Sequence, residues 1–479
     1  MPSRPRFRSL LIGLVVLAPA GLHSQDSLQT LADVTPRGEV VSRLRSRSNP
    51  KASYAVYLPS MFTRDRTWPV VFLLDPRGRA LIPLELFRPT AERLGYVLVS
   101  SYDSQSDGAR DPNDMALDAM LADVQRYLAP DGKRLYLAGF SGTARFSWMA
   151  SEQLPGALAG VLGFGAGTPG DKRWLAQHVR GAPFDYYGAV GTLDPNYLEM
   201  LQLQRDLTDA RLPFRMEVFD GSHRWPPADV CRRALEWMQL RAMARGLRAP
   251  DRAWVDSLGQ ARLAEVDGRA GTNGVSRMRL LRSWIADFGA YRDTVEASGR
   301  AGALAASDSV RRILRREDEW EAKDLVWSRS YFDFIFALRT TDPGPNLNDG
   351  KRKSSVDEIV KLANSTADSL GATTARRAIN RILVYATFYE LRGYEESGRW
   401  EPARTLLQVA EAVAPKDGNV CFALARTEAQ LQKPKEALDH LDCAARSGTL
   451  TRDALRSDPL FAPIREHPRF SAIESLLTR

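Results

Sequence analysis

The chain has 479 residues, 44% of them hydrophobic and 26% charged, with a formal net charge of +8. That length predicts two domains. The positive charge comes mostly from arginines scattered through both halves. It favours acidic surfaces or substrates, but without a clustered basic and aromatic stripe it excludes a nucleic-acid reading.

At the N-terminus, Arg4, Arg6 and Arg8 precede an apolar core from Leu10 to Leu17, and small residues follow at Ala18-Pro19-Ala20 and up to Ser24-Gln25. This is the pattern of a secretory signal peptide over residues 1–24, so the mature protein is expected to be periplasmic or secreted. No later segment approaches the roughly 18 apolar residues a membrane span requires, and no stable membrane insertion is expected.

Runs with strand character recur near 39–45, 53–58, 69–74, 96–101, 133–138, 158–164, 184–190 and 214–219. The later runs alternate with helix-like segments such as Asn113–Leu128 and Asn196–Ala210. The alternation predicts an α/β domain over 38–245, a doubly wound, largely parallel sheet covered on both faces. An all-α half follows it.

The fifth run, Arg134-Leu135-Tyr136-Leu137-Ala138, leads into Gly139-Phe140-Ser141-Gly142-Thr143 and then into a helix-like stretch. Strand, glycine-flanked serine and helix together make a nucleophile elbow, a sharp turn that lifts the serine hydroxyl above the sheet edge. Thr143 stands where the usual motif has a last glycine, and its β-branched side chain is expected to crowd the strand-to-helix packing.

An acid and a histidine must follow in that chain order. Of the five histidines, only His178 and His223 lie between Ser141 and the end of the alternating segment. His178 falls within a helix-like run. His223 lies in the loop that leaves the last strand, and Asp194 lies in the loop after the strand before it. The candidate catalytic residues are therefore Ser141 as nucleophile, His223 as general base and acid, and Asp194 as its orienting partner. The plainer readings are a turn serine, a turn or cap aspartate before Pro195, and a loop histidine near Trp225.

An oxyanion needs two fixed donors. The backbone N–H of Gly142 is one candidate. The other is that of Arg77 or Gly78 in the loop after the third strand, since Pro76 has no N–H to give. Phe140, Trp148 and Trp225 are candidate pocket residues. Gly165-Ala166-Gly167-Thr168-Pro169-Gly170 spells a dinucleotide fingerprint, but it comes late in the sheet and opens no clear helix. No cofactor is expected, and no cysteine and histidine cluster has the spacing of a zinc site.

On Tyr57-Leu58-Pro59, Val70 to Asp75, the Ser141 elbow, Asp194 and His223 with Trp225-Pro226-Pro227, residues 50 to 240 resemble an alpha/beta-hydrolase of the esterase type. The type it resembles is that of polyhydroxybutyrate depolymerases, feruloyl and acetyl xylan esterases and the catalytic domain of prolyl oligopeptidases. The resemblance implies a serine hydrolase acting on esters, thioesters or amides, in a fold that also includes members without activity. The histidine-glycine signature of many lipases is absent.

Beyond residue 240 the pattern turns helical, and Arg245-Gly246-Leu247-Arg248-Ala249-Pro250 marks the expected boundary. Residues 255–390 read as helices without a period. In 391–479, Ala437 and Ala444 fall 34 residues after Ala403 and Ala410, the tetratricopeptide interval, and Asp458 to Phe461 with Phe470 read as a terminal cap. Such repeats suggest a protein partner; the alternative is a helical appendage that stabilises or lids the hydrolase. Cys421 and Cys443 fall in two neighbouring helices of one hairpin, where a disulfide is conceivable but two buried free thiols are the expectation, with Cys231 a core or free thiol.

The sequence thus points to an exported serine hydrolase with an ester-bearing small molecule or polymer as substrate. An exported binding module that keeps the hydrolase fold, and a serine peptidase, are the alternatives.

Overall fold

Every residue of strand β3 (Trp68–Leu74) is buried, as is every residue of β6 (Leu158–Phe164) and β7 (Asp185–Gly191). A strand with no exposed face belongs inside a sheet with helices on both sides. The computed structural model describes residues 35–106, 111–170, 172–181, 184–268 and 273–477. The expected signal peptide therefore lies outside the described residues.

The remaining strands are β1 (Val40–Arg45), β2 (Ser53–Tyr57), β4 (Val97–Ser101), β5 (Pro130–Phe140) and β8 (Phe214–Phe219). Together they form one eight-stranded sheet in the order β1-β2-β4-β3-β5-β6-β7-β8. Strand β2 runs antiparallel to β1 and β4, and every other pairing is parallel. The expected strands are present with ends shifted by a few residues.

Period-two alternation sends side chains of one strand to opposite faces. Val70, Phe72 and Leu74 join one core with α2 (Asp111–Tyr127), α3 (Gly142–Gln153) and α5 (Tyr197–Ala210). Val71 and Leu73 join the other, with α1 (Leu81–Leu94) and α6 (Ala228–Ala244). Helix α4 (Lys172–Gly181) adds Leu175 to the first. Because β3 and β5 to β8 are parallel, their carboxyl ends share one edge, and the loops leaving them meet there.

Helix α6 ends at Ala244, and Gly246 follows with φ 67° while Leu247 N–H closes on Ala242 O at 2.8 Å. A left-handed residue of this kind stops a helix. Helices α7 (Arg252–Gly268), α8 (Gly274–Phe288) and α9 (Val295–Ala306) then pack on Leu240 and Met243 of α6. They lead into the 33-residue α10 (Asp308–Thr340). Next come α11 (Leu347–Lys353), α12 (Val356–Ala363) and α13 (Ser369–Val384), and a π-turn over Tyr385–Tyr389. The last helices are α14 (Leu391–Glu396), α15 (Trp400–Val413), α16 (Gly418–Gln430), α17 (Pro434–Arg446), α18 (Arg452–Ser457) and α19 (Pro468–Leu476).

Ala403, Ala410, Ala437 and Ala444 are all fully buried in the seams between these helices. The expectation for the cysteines is corrected: Cys421 and Cys443 form a disulfide between α16 and α17, with Cα atoms 5.9 Å apart. The small residues at the seam bring the two backbones within bridging distance. Cys231 is free and buried. No helix among the described residues is long and apolar enough to cross a membrane.

Candidate active site

Ser141 sits between β5 and α3 with φ 56° and ψ −128°, a conformation that L side chains rarely adopt. The surroundings determine it. Gly139 could not carry a side chain, since a Cβ there would lie 2.3 Å from Thr143 O. The N–H of Ser141 donates to Phe164 O at 2.8 Å, tying the turn to the end of β6.

Thr143 does the opposite of crowding. Its Oγ1 accepts from Phe140 N–H at 3.0 Å and lies 2.6 Å from Leu74 O and 2.8 Å from Phe140 O, the acceptors open to its hydroxyl proton. It thereby fastens the elbow to the ends of β3 and β5. A buried hydroxyl with all its partners replaces the space a glycine would have left.

The turn after β7 and the loop after β8 meet this serine. His223 Nε2 lies 2.9 Å from Ser141 Oγ, and His223 Nδ1 lies 2.8 Å from Asp194 Oδ2. The Asp194 side chain is 1% exposed, and that of His223 is 25% exposed. A buried carboxylate beside Nδ1 keeps the proton on that nitrogen, which leaves Nε2 to accept from the serine hydroxyl. Asn196 holds the acid from the other side: its N–H donates to Asp194 Oδ1 at 2.8 Å, and its side-chain amide donates to Gly165 O at 2.8 Å.

His178 stands in α4, with its side chain outside the described residues. Phe140 packs its ring 4.5 Å from that of His223 and 5.8 Å from that of Trp225. Both are about 5% exposed, so they back the histidine as a wall instead of offering an open pocket surface. Trp148 is placed elsewhere. It is fully buried among Trp174, Phe184 and Tyr186, because its position on α3 faces the sheet.

Gly142 N–H opens α3, where the first amides have no intrahelical acceptor, and among the described residues no backbone acceptor is placed for it. The other two oxyanion candidates are engaged. Arg77 N–H donates to Asp75 Oδ1 at 2.9 Å, and Gly78 N–H to Asp75 O at 3.1 Å. Asp75 is fully buried and also accepts from Arg79 and from Trp225 Nε1 at 2.8 Å. Burial alone raises a carboxyl's pKa, but these bonds outweigh it and hold Asp75 below the ordinary carboxylate value. Asp75 thus ties the β3–α1 loop to the segment that carries His223.

The glycine-rich loop after β6 is likewise occupied. Gly165 N–H donates to Ala189 O, Gly167 N–H donates to Glu199 Oε1 at 2.8 Å, and α4 begins only at Lys172. Glu199 also pairs with Arg145, one turn along α3 from the serine. The Gly165 and Gly167 amides that a dinucleotide fingerprint would offer to phosphate are thus taken up within the chain.

Two further residues come from the helical half. Arg377 Nη1 donates to Thr192 O at 2.8 Å, and Asn380 Nδ2 donates to Leu193 O at 2.8 Å. Nothing local in the sequence announces either one. Asp75 and Asn196, by contrast, stand in Asp-Pro-Arg-Gly and Asp-Pro-Asn, where short polar side chains beside proline signal side-chain-to-backbone turns.

No family model matches the chain, and no curated protein matches it. Among solved structures it is similar to FphF, a fluorophosphonate-binding serine hydrolase of Staphylococcus aureus, at 14% identity over 43% of this chain and 99% of that one, with a TM-score of 0.35. It is similar to a ferulic acid esterase at 15% identity over 41% and 94% of the two chains, with a TM-score of 0.34. An S-formylglutathione hydrolase from Agrobacterium tumefaciens gives 15%, 42%, 94% and 0.34 for the same quantities. At such scores the likeness carries no argument about this chain.

Proposed function

We propose that this chain is an exported serine hydrolase that cleaves carboxylic esters through an acyl-enzyme. The observation that carries the reading is the hydrogen-bonded series Ser141 Oγ, His223 Nε2, His223 Nδ1 and Asp194 Oδ2, at 2.9 and 2.8 Å, on a strained turn. Ser141 Oγ attacks the acyl carbon while His223 Nε2 takes its proton; the C–O bond to the alcohol breaks as the histidine returns that proton to the leaving oxygen. Water, deprotonated by the same nitrogen, then releases the acid and restores the serine. Asp194 holds the imidazole and stabilises its charged form. Gly142 N–H is the donor for the oxyanion. The substrate is an ester-bearing small molecule or polymer.

Export is supported by the basic, apolar and small-residue order of 1–24 and by the Cys421–Cys443 disulfide, a bond that persists in oxidising compartments. Residues 391–479 are read as a tetratricopeptide-like surface for a protein partner, on the 34-residue interval of their buried alanines. A second reading, a binding module that keeps the hydrolase fold, draws on the engagement of the Arg77 and Gly78 amides by Asp75.

The test is a fluorophosphonate probe on the mature protein beside Ser141→Ala and His223→Ala, followed by a panel of short acyl esters. Labelling of the native protein alone, with ester turnover lost in Ser141→Ala, is the expected result. A folded native protein that does not label favours the binding module.

A further inference from the structure

We infer that Arg377 and Asn380 of α13 position Asp194, which makes the helical half a working part of the hydrolytic site and not a detachable appendage. The inference rests on the serine-hydrolase reading above.

Asp194 ends a tight turn in which its own N–H donates to Gly191 O at 3.1 Å. A peptide unit is planar, so the Leu193 carbonyl and the Asp194 N–H lie in one rigid plane. Asn380 Nδ2 grips the carbonyl side of that plane at 2.8 Å while Gly191 O holds the amide side. The preceding plane is fixed in the same manner. Arg377 Nη1 holds Thr192 O at 2.8 Å, and the Leu193 N–H of that plane donates to Gly221 O at 2.8 Å, two residues before His223. The amide sides of the turn thus face the sheet half and the histidine loop, and the carbonyl sides face the helical half. Both peptide planes leading to Asp194 are pinned at both ends.

The grip is itself rigid. Arg377 is 5% exposed, donates from Nε to the fully buried Asp324 at 2.8 Å, and lies over the Tyr197 ring at 4.0 Å. Arg381, one turn on, holds the other oxygen of Asp324 at 2.9 Å. Asn380 stands three residues after Arg377 and so on the same side of the helix. Among the described residues its side chain bonds only to Leu193 O, which makes it the cleaner probe.

Removing the Asn380 donor should leave the fold intact and let the acid turn rotate. A less well-aimed Asp194 stabilises the His223 imidazolium less, so the acid limb of the rate profile should move to lower pH. The experiment is Asn380→Ala and Asn380→Asp in the full chain, with Arg377→Lys as a further variant that keeps a cation opposite Asp324. Read-outs are the fluorophosphonate labelling rate at Ser141, kcat and KM on a short acyl ester, the pH profile of kcat/KM, and the melting temperature.

The expected result is a loss of about tenfold or more in labelling rate and kcat, with KM changed less than about twofold. In Asn380→Ala, which adds no charge and leaves the Asp324 network intact, the acid limb should shift down while melting stays within about 2 °C of the native protein. An unmoved acid limb and unchanged rates in both Asn380 variants overturn the positioning role while leaving the hydrolase reading intact. So does a loss of activity that only tracks the unfolded fraction. A native protein that does not label removes the hydrolase reading, and the inference goes with it.

Discussion

Thr143 shows how much one side chain decides at this site. As a motif letter it is a defect, a branched residue where glycine is usual. In place, its hydroxyl joins the ends of β3 and β5 through Phe140 N–H, Leu74 O and Phe140 O. Thr143→Val keeps the shape and deletes the hydroxyl, stranding a buried amide. The expected outcome in a denaturant melt is a loss of about 1 to 3 kcal/mol, together with slower labelling of Ser141, because the elbow is no longer anchored. An unchanged melt would mean that the hydroxyl bonds are incidental. Trp148 carries the converse lesson. It is aromatic and close in sequence to Ser141, yet it serves the core, because seven residues along a helix is about two full turns and the direction of each side chain depends on how α3 sits on the sheet.

At the scale of elements, the strands were legible because inner parallel strands are continuous apolar runs, and turn residues bracket them. The order of Ser141, Asp194 and His223 followed from the same pattern, since loops at the carboxyl ends of parallel strands must meet at one edge. Loop conformation was not legible. Asp75 takes up the amides of Arg77 and Gly78, and Glu199 that of Gly167, and no periodicity reports which acceptor an amide chooses. Gly165 gives this scale its test. With φ 63°, it lies where a Cβ would meet Phe140 Cε2 at 2.7 Å and Asp194 Oδ2 at 3.1 Å. Gly165→Ala should therefore displace the wall and the acid together, and kcat should fall by about 100-fold with a smaller change in KM. A fall confined to KM would show that the loop contacts substrate without setting the acid.

Across the whole molecule, the helical half is joined to the sheet by more than a linker. Helices α7 to α9 share a core with α6, and α13 reaches the acid turn. The far C-terminal helices have a stabilising centre of their own at His440, flanked by Glu428 at 2.6 Å and Glu411 at 3.0 Å. Burial lowers the imidazole's pKa, but the hydrogen bonds and charges of the two glutamates outweigh it and bring it from 6.5 to about 9. A folded-state pKa raised above the unfolded value contributes stability that is fully present below pH 6.5 and lost as pH rises through about 9. Melting temperature should fall over that window in the native protein and stay flatter in His440→Gln. Equal slopes in the two would discount the pair of glutamates. Because His440 bonds to Glu428 and Glu411 of the C-terminal helices and not to the acid turn or its grip, Ser141 labelling of His440→Gln at neutral pH should match the native protein.

By itself, the sequence determined the sheet, its covering helices and the chain order that brings a serine, an aspartate and a histidine to one edge. Those features follow from local chemistry: apolar runs, turn residues and the fixed direction of parallel strands. Tertiary structure alone decided that Asp75 takes up the amides of Arg77 and Gly78, which aromatic faces the core, that Cys421 and Cys443 are joined, and that Arg377 and Asn380 grip a turn 185 and 187 residues away. A hydrogen bond or a disulfide forms or fails over a fraction of an ångström. Distances that fine arise only once both helices and sheet have packed.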